Sequence, residues 1–272
     1  MRCAVHVRAA SFSYAEHEVF RNVDLEVFPG EVLCLLGANG CGKTTLLRCI
    51  NGTLKVNSGS IRLGDRSLWS MTATEIARKV GIVFQEHNAP FPYPVLDVVT
   101  MGRAPHLKIF GAPGTADIEI AEEALESVGM HHLRNDPYTK ISGGERQLVL
   151  IARTIAQQPD IILLDEPTSH LDLKNQALVL SMVNRLAARG MTVMMSSHLP
   201  NHALQYCSKA ALMYGGGLSA VGRPGDVISE DSLRRVYGID VKIYTGRDRE
   251  NSREVQFCMP SLESGDRPSR LG

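Results

Sequence analysis

The sequence predicts an α/β fold, with a mainly parallel sheet covered by helices on both faces. Three observations carry this expectation. Short apolar runs at Val32 to Leu36, Ile161 to Leu164 and Met191 to Met195 read as buried strands. Helical stretches lie between them, including Leu173 to Arg189, with Gly190 just past its end. The glycine-rich segment Gly37-Ala38-Asn39-Gly40-Cys41-Gly42-Lys43-Thr44 joins the first run to a helix opening at Thr45.

Taken in order, Val5 to Ala9, Val23 to Phe28 and Val32 to Leu36 read as strands, punctuated by Pro29-Gly30. Ser60 to Leu63 is a further short strand. Thr72-Ala73-Thr74-Glu75 fits a capping box and opens a short helix to Arg78. Val80 to Phe84 is a strand ending at Gln85. Pro90, Pro92 and Pro94 then stiffen a surface segment, and from Val95 to Gln158 the pattern turns helical. Ile118, Ala121, Leu125 and Val128 share one helix face, closed by Gly129, and Arg146 to Gln157 forms a second helix stopped by Pro159. This region reads as a helical subdomain, about residues 87–158, inserted between strands of one core. Leu212 to Val221 reads as a hairpin turning at Gly215-Gly216-Gly217. A single domain is expected over residues 1–258, with 259–272 as a disordered tail.

Bulk properties narrow the classes. With 44% hydrophobic and 21% charged residues, the chain has the composition of an ordinary soluble globular protein. Zero formal net charge argues against a chain built to coat nucleic acid. No apolar run approaches the ~18 residues of a membrane helix, and no cleaved signal peptide is expected. The six cysteines form no C-x-x-C and no Cys/His metal spacing, so reduced thiols are expected. His131-His132 reads as a solvated pair.

The segment from Gly37 to Thr44 fits G-x-x-x-x-G-K-[ST], a phosphate-binding loop. Its glycines let the backbone wrap a polyphosphate, so that consecutive N–H groups and a helix N-terminus face the anion. Lys43 is placed for the outer phosphates, and the Thr44 hydroxyl for Mg²⁺. Cys41, near Lys43 and the helix N-terminus, is expected to favour the thiolate. Asp165 and Glu166 follow the apolar run from Ile161 to Leu164, and ligands of α/β sheets sit beyond the carboxyl ends of the strands. Asp165 is therefore expected to hold Mg²⁺, and Glu166 to orient or deprotonate water. Ser142-Gly143-Gly144 opens a helix and offers a second anion-binding terminus, suited to completing a site on another copy of the chain.

Ser142-Gly143-Gly144-Glu145-Arg146-Gln147, about 20 residues before the Asp165-Glu166 strand end, resembles the signature motif of ABC-transporter ATPases. The resemblance covers nearly the whole chain. It implies a P-loop NTPase cassette with a RecA-like core, an N-terminal antiparallel β-subdomain and an inserted helical subdomain. Tyr14 resembles the aromatic that stacks on adenine, Gln85 the glutamine between core and helical subdomain, and His198 the switch histidine at the γ-phosphate. Ser169-His170-Leu171-Asp172 resembles the loop crossing the dimer interface. On that pattern ATP contacts Tyr14, Gly37, Asn39, Gly40, Cys41, Gly42, Lys43, Thr44, Thr45 and, across a dimer, Ser142, Gly143, Gly144 and Asp172. Mg²⁺ takes Thr44, Gln85 and Asp165, while Glu166, His198 and Gln85 carry the chemistry. Ile141 and Glu145 depart from the usual Leu and Gln of the signature.

The resemblance further implies a head-to-tail homodimer driving a separate polytopic permease, two copies of it, with a substrate-binding protein as indirect partner. The place implied is the cytoplasmic face of the inner membrane. Val99 to His106 resembles the "LGR-x-PH" stretch of importers for ferric siderophores, haem and cobalamin, and Val236 to Val241 their "YGIDV" stretch. Val255 to Pro260 resembles that branch's last strand. Importers of zinc, manganese or molybdate have similar cassettes. The other readings are an exporter ATPase, a soluble ABC ATPase, and a plain phosphoryl-transfer enzyme, which leaves Ser142 to Gly144 and His198 without a role.

Overall fold

The computed structural model describes residues 3–84, 91–108, 111–169, 171–247 and 254–261. Chain order begins with β1 (Val5–Tyr14), β2 (His17–Val27), β3 (Val32–Leu36), α1 (Lys43–Ile50), β4 (Ser58–Leu63), β5 (Arg66–Ser67), α2 (Ala73–Lys79) and β6 (Val80–Val83). Three helices follow: α3 (Val95–Thr100), α4 (Thr115–Ser127) and α5 (Gly143–Ala156). The chain then runs through β7 (Ile161–Leu164), α6 (Leu173–Ala188), β8 (Thr192–Ser197), α7 (Pro200–Tyr206), β9 (Lys209–Tyr214) and β10 (Gly217–Gly222). It closes with α8 (Pro224–Val227), α9 (Glu230–Tyr237), β11 (Val241–Arg247) and β12 (Glu254–Pro260).

The central sheet has the order β10-β9-β3-β8-β7-β6, parallel except for the β9–β10 hairpin. Every residue of β3 and β7 is buried, which is why both read as unbroken apolar runs. Their side chains alternate between two cores. Cys34, Leu36 and Leu164 face a core shared with α3 to α6, whereas Leu33, Leu35 and Leu163 face one shared with α1 and the antiparallel sheet. That second sheet, β2-β1-β4-β5, joins strands by antiparallel ladders.

The antiparallel strands are longer than the sequence predicts. β1 extends past Ala9 to Tyr14, and β2 begins at His17. Register shifts interrupt the β1–β2 ladder, with Ala9 at φ 48° and Asn22 at φ 51°. These irregularities break the alternation of buried and exposed residues by which a strand is read. The capping box at Thr72 and Glu75 is present.

Helices α3 to α5 lie between β6 and β7, but residues 95–158 are not helical throughout. A 3₁₀ turn covers Met101–His106, and α5 begins at Gly143, at the helix opening read from Ser142 to Gly144. The Ser142–Glu145 capping box starts that helix despite its two glycines. β12 runs to Pro260, through the first two residues of the expected tail, by pairing with β11. Residues 262–272 lie outside the described residues. Among the described residues no helix is long and apolar enough to cross a membrane.

Candidate active site

The carboxyl ends of β3, β7 and β8 meet beside the N-terminus of α1. β3 delivers the glycine-rich loop there. Gly42 takes φ 104°, and a Cβ on it would meet Val19 and Met213 within 3 Å, so both conformation and space demand glycine. No side chain caps α1, whose first amides therefore face the loop concavity. The Lys43 side chain, 5% exposed, runs back through the loop. Its Nζ donates to the carbonyls of Gly37 (2.8 Å) and Ala38 (3.0 Å) and lies 3.6 Å from Glu166 Oε1.

Strand β7 delivers the two carboxylates. Asp165 is buried, and its Oδ1 accepts from Thr44 Oγ1 (3.0 Å) and Ser196 Oγ (2.7 Å). Ser196 Oγ in turn accepts the Glu166 N–H at 2.8 Å. Glu166 sits at φ 46°, a left-handed conformation that costs a non-glycine residue on the order of 1 kcal/mol or more. The turn carries its carboxylate to a point where Oε2 is 3.2 Å from His198 Nδ1. His198 follows β8 directly. Beneath it, Ser197 Oγ accepts the Leu199 N–H (3.0 Å) and lies 3.0 Å from Nδ1 of buried His202. Burial, with a smaller effect of His198, pulls the His202 pKa down to about 4.

Lys43, Thr44 and Glu166 open onto a cavity of about 600 Å³, whose described lining does not include Asp165 or His198. Its lining includes Tyr14, Asn39, Gly40, Cys41, Gly42, Lys43, Thr44, Thr45 and Glu166. Tyr14, Thr45 and the loop are thus brought together as the sequence predicts. Gly37 meets the site through its carbonyl on Lys43. His17, Glu18, Val19 and the Gly215–Gly216 turn also line the cavity and are new. Ser196 is the missed anchor. Its position at the carboxyl end of an apolar strand, the cue that singled out Asp165, was the available signal. Gln85 and His170 lie outside the described residues.

One expectation is altered. Burial pushes the Cys41 thiol up, and this outweighs the pull of Lys43, so the expected thiolate is corrected. Ser142, Gly143, Gly144 and Asp172 are not among the described residues lining the cavity. They lie at the openings of α5 and α6 instead. Ser142 Oγ accepts the Glu145 N–H while Glu145 Oε2 accepts the Ser142 N–H (2.8 Å). Asp172 caps α6 by accepting the Asn175 N–H at 2.8 Å. A Cβ on Gly144 would collide with the Asn175 side chain, so α5 and α6 open against each other.

Comparison with known proteins agrees with this geometry. The profile of the ABC transporter family matches residues 20–169. The molybdate import ATP-binding protein MolC of Haemophilus influenzae is 40% identical, covering 87% of this chain and 89% of its own. The hemin import ATP-binding protein HmuV of Bordetella pertussis is 38% identical (83% and 88% covered), and the petrobactin import ATP-binding protein FpuC of Bacillus anthracis 32% (90% and 90%). Among solved structures, a transporter assigned to the metal-chelate type, in an inward-facing conformation, superposes with TM-score 0.86 at 32% identity, over 96% of this chain and 98% of that one. A loop that holds its own lysine, a buried aspartate bonded to Thr44, a carboxylate aimed by its backbone and these relatives lead to one conclusion: the chain belongs to the ABC transporter family, as an ATP-binding subunit that hydrolyses ATP.

Proposed function

We propose that two copies of this chain close head to tail over two ATP molecules and drive a separate membrane permease that imports a metal chelate, a ferric siderophore, haem or cobalamin. One observation carries the dimer: the Ser142–Gly144 helix opening is absent from the described lining of the cavity that holds Lys43, Thr44 and Glu166. A second copy, turned about a two-fold axis, supplies it. Names of relatives support the cargo class, since hemin and petrobactin importers match over most of their length. Import of an oxyanion such as molybdate is the second reading, favoured by the 40% identical molybdate relative.

In this reading Lys43 leaves the Gly37 and Ala38 carbonyls for the outer phosphates. The α1 amides take the phosphate oxygens, and Tyr14, 45% exposed at the cavity edge, stacks on adenine. Thr44 Oγ1 and Asp165 Oδ1, 3.0 Å apart, are two hard oxygen donors that fit Mg²⁺, with Gln85 as a further donor. When bound, the ion neutralises phosphate charge. Glu166 accepts a proton from the attacking water, and His198, beside it, donates to the γ-phosphoryl oxygens with the second copy's Ser142. The chain is then peripheral, held at the cytoplasmic membrane face by its permease, with a substrate-binding protein as indirect partner and no nucleic acid.

The test is Glu166→Gln. Expected are retained ATP binding, a stable ATP-dependent dimer on sizing, and turnover lower by ~10²–10⁴. Wild-type turnover would refute the role of Glu166. Solubilised in mild detergent from its own host, the trapped variant should bring down a polytopic permease; recovery alone or with nucleic acid would sink the transport reading.

A further inference from the structure

The stretch from Gly102 to His106 is used by none of the chemistry above, yet its side chains are bonded to α4 and to the end of α5. Gly102 lies against the last turn of α5, where a Cβ would collide with the Arg153 carbonyl. Arg103, 6% exposed, spreads its guanidinium over three elements. Its NH1 donates to Ala156 O at 2.7 Å and to Gln158 Oε1 at 3.0 Å, and its Nε to Asp117 Oδ1 of α4 at 3.0 Å. The Arg103 guanidinium holds the Asp117 carboxyl below its usual range. His106 Nε2 donates to Gln157 O at 2.9 Å. The α5 C-terminus, where carbonyls are left without helical partners, is thus closed by two basic side chains at the negative end of its dipole.

The same end is bolted to the α/β core. Gln157 Nε2 donates to Val80 O at 3.0 Å and also to Ala77 O, and Arg78 Nε of α2 donates to Pro105 O at 2.9 Å. Only a planar fork of donors reaches carbonyl, amide and carboxylate together, which lysine cannot do. The opposite end of α5 is Ser142–Gly144. Fourteen residues make a rod of ~21 Å, so a tilt of about 5° at the pinned end displaces the other by ~2 Å. Displacements of ~1 Å in a catalytic constellation can cost on the order of a hundredfold.

We propose that Arg103 is a positioning residue: it pins the C-terminal end of α5 and thereby aims the Ser142–Gly144 terminus at the nucleotide of the second copy. This rests on the head-to-tail reading for the second half of the claim. The test places Arg103→Gln, Arg103→Lys and Asp117→Asn in the full chain carrying Glu166→Gln. Expected for Arg103→Gln is ATP-dependent dimerisation weakened about tenfold, while a fluorescent ATP analogue binds the monomer within about twofold of the parent. Amide exchange should quicken in α5 and in residues 101–106, with β3 and β7 unchanged. Arg103→Lys should recover part of the loss, and Asp117→Asn should lose less than Arg103→Gln.

Unchanged dimerisation together with unchanged α5 exchange overturns the proposal. Exchange quickened equally in all elements also overturns it, because the effect is then general destabilisation. A Glu166→Gln parent that stays monomeric with ATP sinks the head-to-tail reading instead, and the α5 exchange pattern then decides the role of Arg103 alone.

Discussion

Two helix N-termini are proposed here to meet phosphate, and they are built in opposite ways. α1 starts from a left-handed glycine with no side-chain cap, and its lysine is held in reserve on the loop's own carbonyls. α5 starts from a closed capping box in which Ser142 and Glu145 satisfy each other. The first is a binding site ready without a partner. The second keeps its first-turn amide and its serine paired through Glu145, and the Ser142 hydroxyl can donate its O–H to an anion while its oxygen still accepts the Glu145 N–H. Under the head-to-tail proposal, the difference suits two half-sites that are stable apart and stronger together.

Each half can be challenged separately. The largest effect is expected at the core end. His202 supports the Ser197–His198 turn, and its pKa lies near 4 rather than 6.5. The unfolded chain therefore takes up the proton first, and stability falls as pH drops from about 6.5 toward 4. The full loss is about 3 kcal/mol. His202→Asn, which keeps a polar atom toward Ser197, should flatten the dependence of Tm on pH across that window; an unaltered slope would move the cause elsewhere. Next comes Lys43→Ala. It removes a charge-assisted phosphate contact and the staple of the loop, so ATP binding by the monomer should weaken by roughly 1.5–3 kcal/mol, about ten- to a hundredfold in Kd. Equal loss in Ser142→Ala would erase the distinction between the termini. Ser142→Ala should instead leave monomer binding intact and cost α5 about 1 kcal/mol, read as a lower Tm and faster exchange in its first turn.

Legibility followed where each residue's partners lie. β3 and β7 were readable because both faces are buried, and the α2 cap because Thr72 and Glu75 are three residues apart. The phosphate loop and the carboxylate pair were readable because glycine, lysine and acid chemistry is local. The length of β1 was hidden by bulges that only the facing strand reveals. The opening of α5 at Ser142 was readable, and the low helix propensity of its two glycines is overridden by the cap and by the close fit of Gly144 on Asn175. Ser196 was hidden because its partners, Asp165 and the Glu166 amide, are about thirty residues away. Cys41 was misread because a neighbouring cation is visible in sequence and burial is not. For the same reason the Gly102–His106 stretch reads as a badge of a transport branch, whereas its side chains serve as joinery.

The left-handed backbone at Glu166 has a consequence for how this position can change over time. Two filters act on it. The peptide conformation screens by shape, tolerating glycine, asparagine and aspartate while penalising valine, isoleucine and threonine. The reaction screens by charge, since only a carboxylate does the work proposed for it. On that proposed role, glycine and asparagine pass the first filter and fail the second, and of these three aspartate alone passes both.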